Sequence, residues 1–131
     1  DVLATDINEE SINYVNEKGI KAMKSDLFEN IKDKFNVIIF NPPYLPKEPL
    51  EPEDSALTTT GGKRGNEIIE RFLKEAKNYL NKNGKILIVF SSLTPNINKI
   101  LKKYKYKFKL LEQQKIPFET LYIYLIESDN G

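Results

Sequence analysis

The tetrapeptide Asn41-Pro42-Pro43-Tyr44 is the part of this chain whose residue types best suit chemistry. A planar amide or aniline-type NH2 is a poor nucleophile because its lone pair is delocalised, so an enzyme that uses one must hold both hydrogens. The Asn41 side-chain oxygen can accept one and the Pro42 carbonyl the other. Two prolines fix the backbone and remove competing donors, which preorganises those acceptors. Holding both hydrogens builds electron density on nitrogen and aims it at an electrophile, by positioning and electrostatics. Tyr44 can stack on the flat face of the amide or base. A rigid diproline turn capped by asparagine is the plainer use of the same residues.

Two acids have the right placement to accompany it. Asp6 and Asp26 each follow a short apolar run. A carboxylate offers acceptors on two oxygens and can take both hydroxyls of a ribose, while a second acid can accept from the exocyclic amine of adenine. Aspartate at a strand end is also an ordinary turn former or helix cap, so each acid carries weight only beside the tetrapeptide.

These residues need strands to present them. Residues 2–7 and 20–23 read as short strands around a helix capped by Asn8, with Glu9 and Glu10 in its first turn and Gly19 as its stop. Ile12 and Val15 share one face of that helix. Residues 37–40 are apolar without alternation, which predicts a strand buried on both faces. Residues 45–55 hold three prolines and four acids and read as a loop. Residues 66–80 carry Ile68, Ile69, Phe72, Leu73, Ala76, Tyr79 and Leu80 at helical spacing. Asn83-Gly84 turns the chain into a strand over 85–90, which ends at Ser91-Ser92. Thr94-Pro95 opens a short helix through Leu101, with Pro95 in its first turn. Residues 103–110 alternate as a half-buried strand with Tyr104, Tyr106 and Phe108 inward, and 120–126 close the fold. The order β-α-β-β-α-β-α-β-β predicts an α/β layered sheet, mostly parallel, with an antiparallel pair of strands at its C-terminal end. Ligands of such sheets bind beyond the carboxyl ends of the strands, where Asp6, Asp26, Asn41 and Ser91 fall.

Composition narrows the function. The 131 residues are one domain's worth of chain, 40% hydrophobic and 30% charged, with a net charge of +1. Histidine and cysteine are absent, which excludes disulfides, thiolate zinc sites and Ser-His or Cys-His nucleophiles. Near-zero net charge gives no global field toward nucleic acid. No run approaches the roughly 20 apolar residues that span a bilayer, and no signal peptide opens the chain, so a cytoplasmic protein without a membrane partner is expected. Six lysines and no acid lie between Lys99 and Lys109, read as a solvated face rather than a nucleic-acid stripe.

The motifs together resemble the HemK/PrmC family of S-adenosylmethionine-dependent methyltransferases, which methylate the glutamine amide in the Gly-Gly-Gln loop of translation release factors. The matching text is ATDIN at 4–8, SDLF at 25–28, VIIFNPPYLP at 37–46 and GGKRGNEIIERF at 61–72. The last block is similar to the Gly-Gly-Lys/Arg-x-Gly-x-Glu segment of the archaeal and eukaryotic branch, and FETLYIYLIE at 118–127 to that branch's final strand. The resemblance implies a Rossmann-like class I methyltransferase sheet with S-adenosyl-L-methionine as cofactor. It implies Asn41, Pro42 and Tyr44 as catalytic, Asp6, Asp26, Leu27 and Asn41 as cofactor-binding, and Asn41, Pro42, Pro43 and Tyr44 as substrate-binding, with no metal. The implied partners are a release factor as substrate and a small zinc-containing activator protein.

The family's glycine-rich first motif has no match here, since Gly61-Gly62 follows the catalytic strand. The expectation is therefore a single partial catalytic domain over 1–131, lacking the first strand and glycine loop and binding cofactor poorly by itself. Two other functions use the same residues: amino methylation of adenine or guanine in DNA or RNA, and an inactive binding remnant. Block 61–72 favours glutamine methylation.

Overall fold

The computed structural model describes residues 1–42 and 65–129. They fall into two compact units, Asp1–Asp33 and Lys34–Gly131.

The first unit is a β-α-β turn of chain: β1 (Leu3–Asp6), α1 (Glu9–Glu17) and β2 (Lys21–Lys24). Asn8 adopts extended backbone and its side-chain oxygen accepts from the Ser11 amide at 3.1 Å, the expected N-cap. Glu9 and Glu10 occupy the first turn, where acids suit the helix dipole. The helix ends as Gly19 takes φ +86 and donates its amide to the Asn16 carbonyl at 3.0 Å. The Asn16 side chain then accepts from the Ala22 amide at 2.9 Å, pinning the start of β2. β1 and β2 pair in parallel, Leu3 opposite Lys21 through Asp6 opposite Lys24. Ile12 and Phe28 are the buried apolar side chains of this unit.

The second unit holds β3 (Phe35–Phe40), α2 (Glu67–Ala76), a 3-10 turn (Lys77–Tyr79), β4 (Leu80–Ser91), α3 (Ile97–Lys103), β5 (Tyr106–Ile116) and β6 (Glu119–Ser128). The sheet order is β3-β4-β6-β5. β3 and β4 are parallel, and β6 is antiparallel to both of its neighbours. This is the α/β arrangement the sequence predicts. One face of the sheet lies under the helices. Phe40 stacks on Phe72 of α2 at 4.1 Å, and the Tyr106 hydroxyl donates to the Leu73 carbonyl at 2.6 Å. Ile69, Leu73, Ile86, Ile88, Leu101 and Ile126 are fully buried. Gly84 is required by a close approach: a Cβ there would lie 2.9 Å from the Asn81 carbonyl oxygen. Asn83 beside it has φ +64, and together they re-aim the chain between the Phe35–Leu80 and Val37–Lys85 pairings.

Four expectations are corrected. Residues 37–40 are not buried on both faces: Val37 is 52% and Ile39 72% exposed. The pleat sends Ile38 and Phe40 to the helix-covered face and the other two away from it. The predicted helix over 66–80 ends at Ala76, and Leu80 already belongs to β4. Pro95 precedes α3 rather than entering its first turn, because Asn96 adopts φ +61 and the helix begins at Ile97. Finally, β5 begins at Tyr106 rather than at 103 and runs to Ile116. Tyr104 therefore closes α3 and turns its hydroxyl to Glu70.

Candidate functional site at the strand ends

In the first unit, Asp6 closes β1 with its side chain exposed. Its Oδ1 accepts from the Asn8 amide at 2.9 Å, which orients the carboxylate and leaves its other oxygen for a ligand. The Asp6 carbonyl accepts from the Ser25 amide at 2.9 Å, so the chain leaving β2 runs directly beside it. Ser25 is buried; its hydroxyl donates to the Leu27 carbonyl at 2.7 Å and accepts from the Asn30 amide at 3.1 Å. That pair of bonds holds a tight turn in which Leu27 takes φ +55 and Asp26 is half-buried. Asp6, Asp26 and Leu27 thus lie together at the carboxyl end of two neighbouring parallel strands. The donor set is all oxygen acceptors with one apolar side chain, which suits the hydroxyls, amine and flat face of a nucleoside.

In the second unit, Asn41 and Pro42 follow β3 directly, Asn41 exposed and Pro42 buried. The stacked Phe40–Phe72 pair anchors the residue before them. Pro43 and Tyr44 lie outside the described residues, as do the loop over 45–55 and Gly61-Gly62.

Beside β3, the end of β4 is fastened by side chains. Buried Ser91 donates its hydroxyl to Glu119 Oε1 at 2.6 Å and accepts from the Leu93 amide at 3.0 Å. Its own amide donates to Thr94 Oγ1 at 3.2 Å. The Ser92 amide donates to the Thr120 carbonyl at 2.8 Å, and the Thr120 amide returns a bond to Ser92 Oγ at 2.9 Å. These contacts tie the start of β6 to the end of β4, on the strand next to Asn41. Sequence reasoning placed Ser91 and Ser92 at this end of the sheet but missed Glu119, the first residue of β6, because its bond to Ser91 spans 28 positions of sequence. A cleft of about 430 Å³ opens alongside, lined by Phe90, Ser91, Thr94, Ile97, Tyr122 and Tyr124. The Tyr124 hydroxyl donates to Asn98 Oδ1 at 3.1 Å, and burial pushes its pKa up.

The lysine-rich segment is divided by the fold. Lys103 pairs with Glu70 at 2.9 Å, and that bond, with a second from Tyr104, holds the Glu70 carboxyl below its usual value. Lys77 donates to the Lys105 carbonyl at 3.0 Å and lies over the Tyr106 ring, and burial lowers its pKa. Among the described residues, no helix is long and apolar enough to cross a membrane.

The methyltransferase small domain family matches residues 1–117. A Methanocaldococcus jannaschii protein, provisionally named a protein N5-glutamine methyltransferase, is 42% identical over 133 residues, covering 93% of this chain and 67% of that protein. The release factor glutamine methyltransferase of Borreliella burgdorferi is 40% identical over 78 residues, covering 55% of this chain but 27% of its own length. Among solved structures, the E. cuniculi Mtq2–Trm112 complex, described as responsible for methylation of the eRF1 termination factor, aligns with a TM-score of 0.73 at 26% identity. That alignment covers 97% of this chain and 71% of the matched one.

Proposed function

The chain belongs to the methyltransferase small domain family, and on that premise we propose that it methylates the side-chain amide nitrogen of a glutamine in the Gly-Gly-Gln loop of a translation release factor. The observation that carries the reading is the exposed Asn41 followed by buried Pro42 at the carboxyl end of β3, in a chain 42% identical to the Methanocaldococcus protein.

The cofactor is S-adenosyl-L-methionine, which when bound supplies an electrophilic methyl group. The acceptors at the ends of β1 and β2 fit it. Asp6 would take the ribose hydroxyls on the carboxylate oxygen not occupied by Asn8, Asp26 the adenine amine, and Leu27 would lie against the base. At the reacting amide, Asn41 Oδ1 accepts one hydrogen and the Pro42 carbonyl the other. With both held, the nitrogen lone pair has a single direction left to it, and the proton the nitrogen sheds on methylation leaves along one of these two hydrogen bonds, toward its acceptor oxygen. Pro43, Tyr44 and the loop over 45–55, to which the resemblance assigns substrate contacts, lie outside the described residues.

A small zinc-containing activator protein accompanies the enzyme in this reading, supported by the two-protein assembly in which the E. cuniculi relative was solved. Release factors act on ribosomes, so the reaction is cytoplasmic. The test is methyl transfer from labelled S-adenosylmethionine to a release factor bearing Gly-Gly-Gln, with the activator present. Label is expected on that factor and absent from its Gln-to-Ala form. Equal labelling of both, or a better reaction with an adenine-containing oligonucleotide, would replace glutamine by another acceptor.

A further inference from the structure

Phe118 combines two unfavourable features. Its side chain is 99% exposed, and its backbone takes φ +69. It occupies the two-residue connection between Ile116 and Glu119, which pair directly. Pro117 holds φ near −65° and so excludes the primed turns usual for such hairpins, leaving the following residue to take positive φ. Glycine or asparagine meets that demand with less strain, and any polar residue meets water better. A large apolar ring kept where both backbone and solvent disfavour it points to a contact made outside the chain.

The register says where that contact is made. β6 begins beside the end of β4, with Ser91 opposite Leu121, and β4 runs parallel to β3 with Phe40 opposite Ile88. The hairpin tip therefore projects from the same end of the sheet as Asn41, the carboxyl end of β3 and β4. Two strand spacings across and five residues beyond the level of Asn41 put Phe118 about 20 Å from it. Leu93, 48% exposed, lies in the turn bonded to that tip through Ser92 and Thr120. An extended Gly-Gly-Gln tripeptide spans about 10 Å, so both side chains lie beyond it, where the body of a protein substrate would sit. Charge favours protein over nucleic acid here: from 112 to 120 the hairpin carries two acids, Glu112 and Glu119, against the single base Lys115, a balance that does not favour phosphate.

We infer that Phe118, with Leu93 beside it, is an apolar docking contact for the folded body of the protein substrate, separate from the residues that hold the reacting amide. This rests on the glutamine reading above. The experiment is steady-state methylation of the Gly-Gly-Gln release factor by the complete enzyme and its Phe118→Ala, Phe118→Leu and Phe118→Gly variants. Phe118→Ala should raise KM for the factor about tenfold with kcat within about twofold, and leave the S-adenosylmethionine dissociation constant unchanged. Phe118→Leu should recover most of the KM. Phe118→Gly should raise the thermal midpoint by about 2–4 °C, because the positive φ is relieved, yet bind the factor as poorly as the alanine variant. A wild-type KM in the alanine and glycine variants overturns the inference. So does a parallel loss of thermal midpoint, kcat and cofactor affinity, which would mark a structural residue. An oligonucleotide that competes with the factor on wild type and not on Phe118→Ala assigns the contact to nucleic acid instead. Wild-type enzyme that leaves the factor unmethylated removes the glutamine reading and this inference with it, an outcome distinct from all the others.

Discussion

In the first unit the strand-end residues are held by turns. Asp6 is oriented by the Asn8 amide, and Leu27 by the Ser25 hydroxyl, while Ile12 and Phe28 make up the buried apolar set. In the second unit the strand ends stand on a close-packed core: Asn41 follows a phenylalanine stacked on α2, and Ser91 is fully buried against Glu119. The difference suits the two roles proposed for these strand ends. Ribose and adenine can be gripped by a few charge-assisted bonds from locally ordered turns. Aiming a weak amide nucleophile needs acceptors that do not move, and rigidity of that kind comes from packing against a sheet and helix.

That contrast can be broken by substitution. Ile88→Ala, beneath the helices of the second unit, should lower stability by about 2–5 kcal/mol in chemical denaturation. Ile12→Ala should fall at the lower end of that range, since a residue at the margin of a thin core leaves a site that collapses more fully. Equal losses would mean that the core of the first unit is packed as closely as that of the second. Asn41→Ala should reduce turnover by about a hundredfold or more while cofactor affinity holds, as when one preorganised polar group is removed. If cofactor binding were lost and turnover per complex kept, Asn41 would belong with the first unit's residues instead.

Asp6→Asn sharpens the other side. The amide keeps an oxygen for Asn8 but removes the charge, so α1 should remain capped while cofactor affinity falls by about 1.5–3 kcal/mol per bond weakened. An unchanged dissociation constant in titration calorimetry would make Asp6 a turn residue only. The smallest effect is electrostatic. Glu70 accepts from Lys103 and Tyr104, and its folded pKa lies below the ordinary carboxylate value. Its contribution is therefore complete above the unfolded pKa and lost as pH falls through the lower folded one. Lys103 is exposed and Glu70 partly so, so the wild-type advantage over Glu70→Gln should be small at neutral pH and fall away as acid carries the chain through the lowered folded pKa. A difference that persists in acid would show that Tyr104 packing, not charge, joins α2 to α3.

Much of this was legible in order along the chain. The Asn8 cap, the Gly19 stop and the order of the strands and α-helices follow from local chemistry, because caps and periodicity are decided by residues within a few positions of one another, whereas Asn83-Gly84, expected as a turn, lies inside the continuous strand β4. The strand-end positions of Asp6, Asp26 and Asn41 were legible for the same reason: each closes or follows a short strand, where such sheets bind ligands.

Other features are decided at long range. The apolar run 37–40 gives no sign that Val37 and Ile39 face away from the helices, because burial depends on which elements lie over each side of the pleat. Glu119 reaches Ser91 across 28 positions of sequence, and Tyr104 reaches Glu70 across 34, through pairings that no local window contains. Phe118 reads as one more aromatic before a strand until the hairpin register sets it in water at positive φ. The residue types of the candidate site and the order of the elements that carry it came from the sequence alone. Which face each side chain takes, and which distant partner holds it, required the tertiary structure, because those are properties of strands and helices packed together.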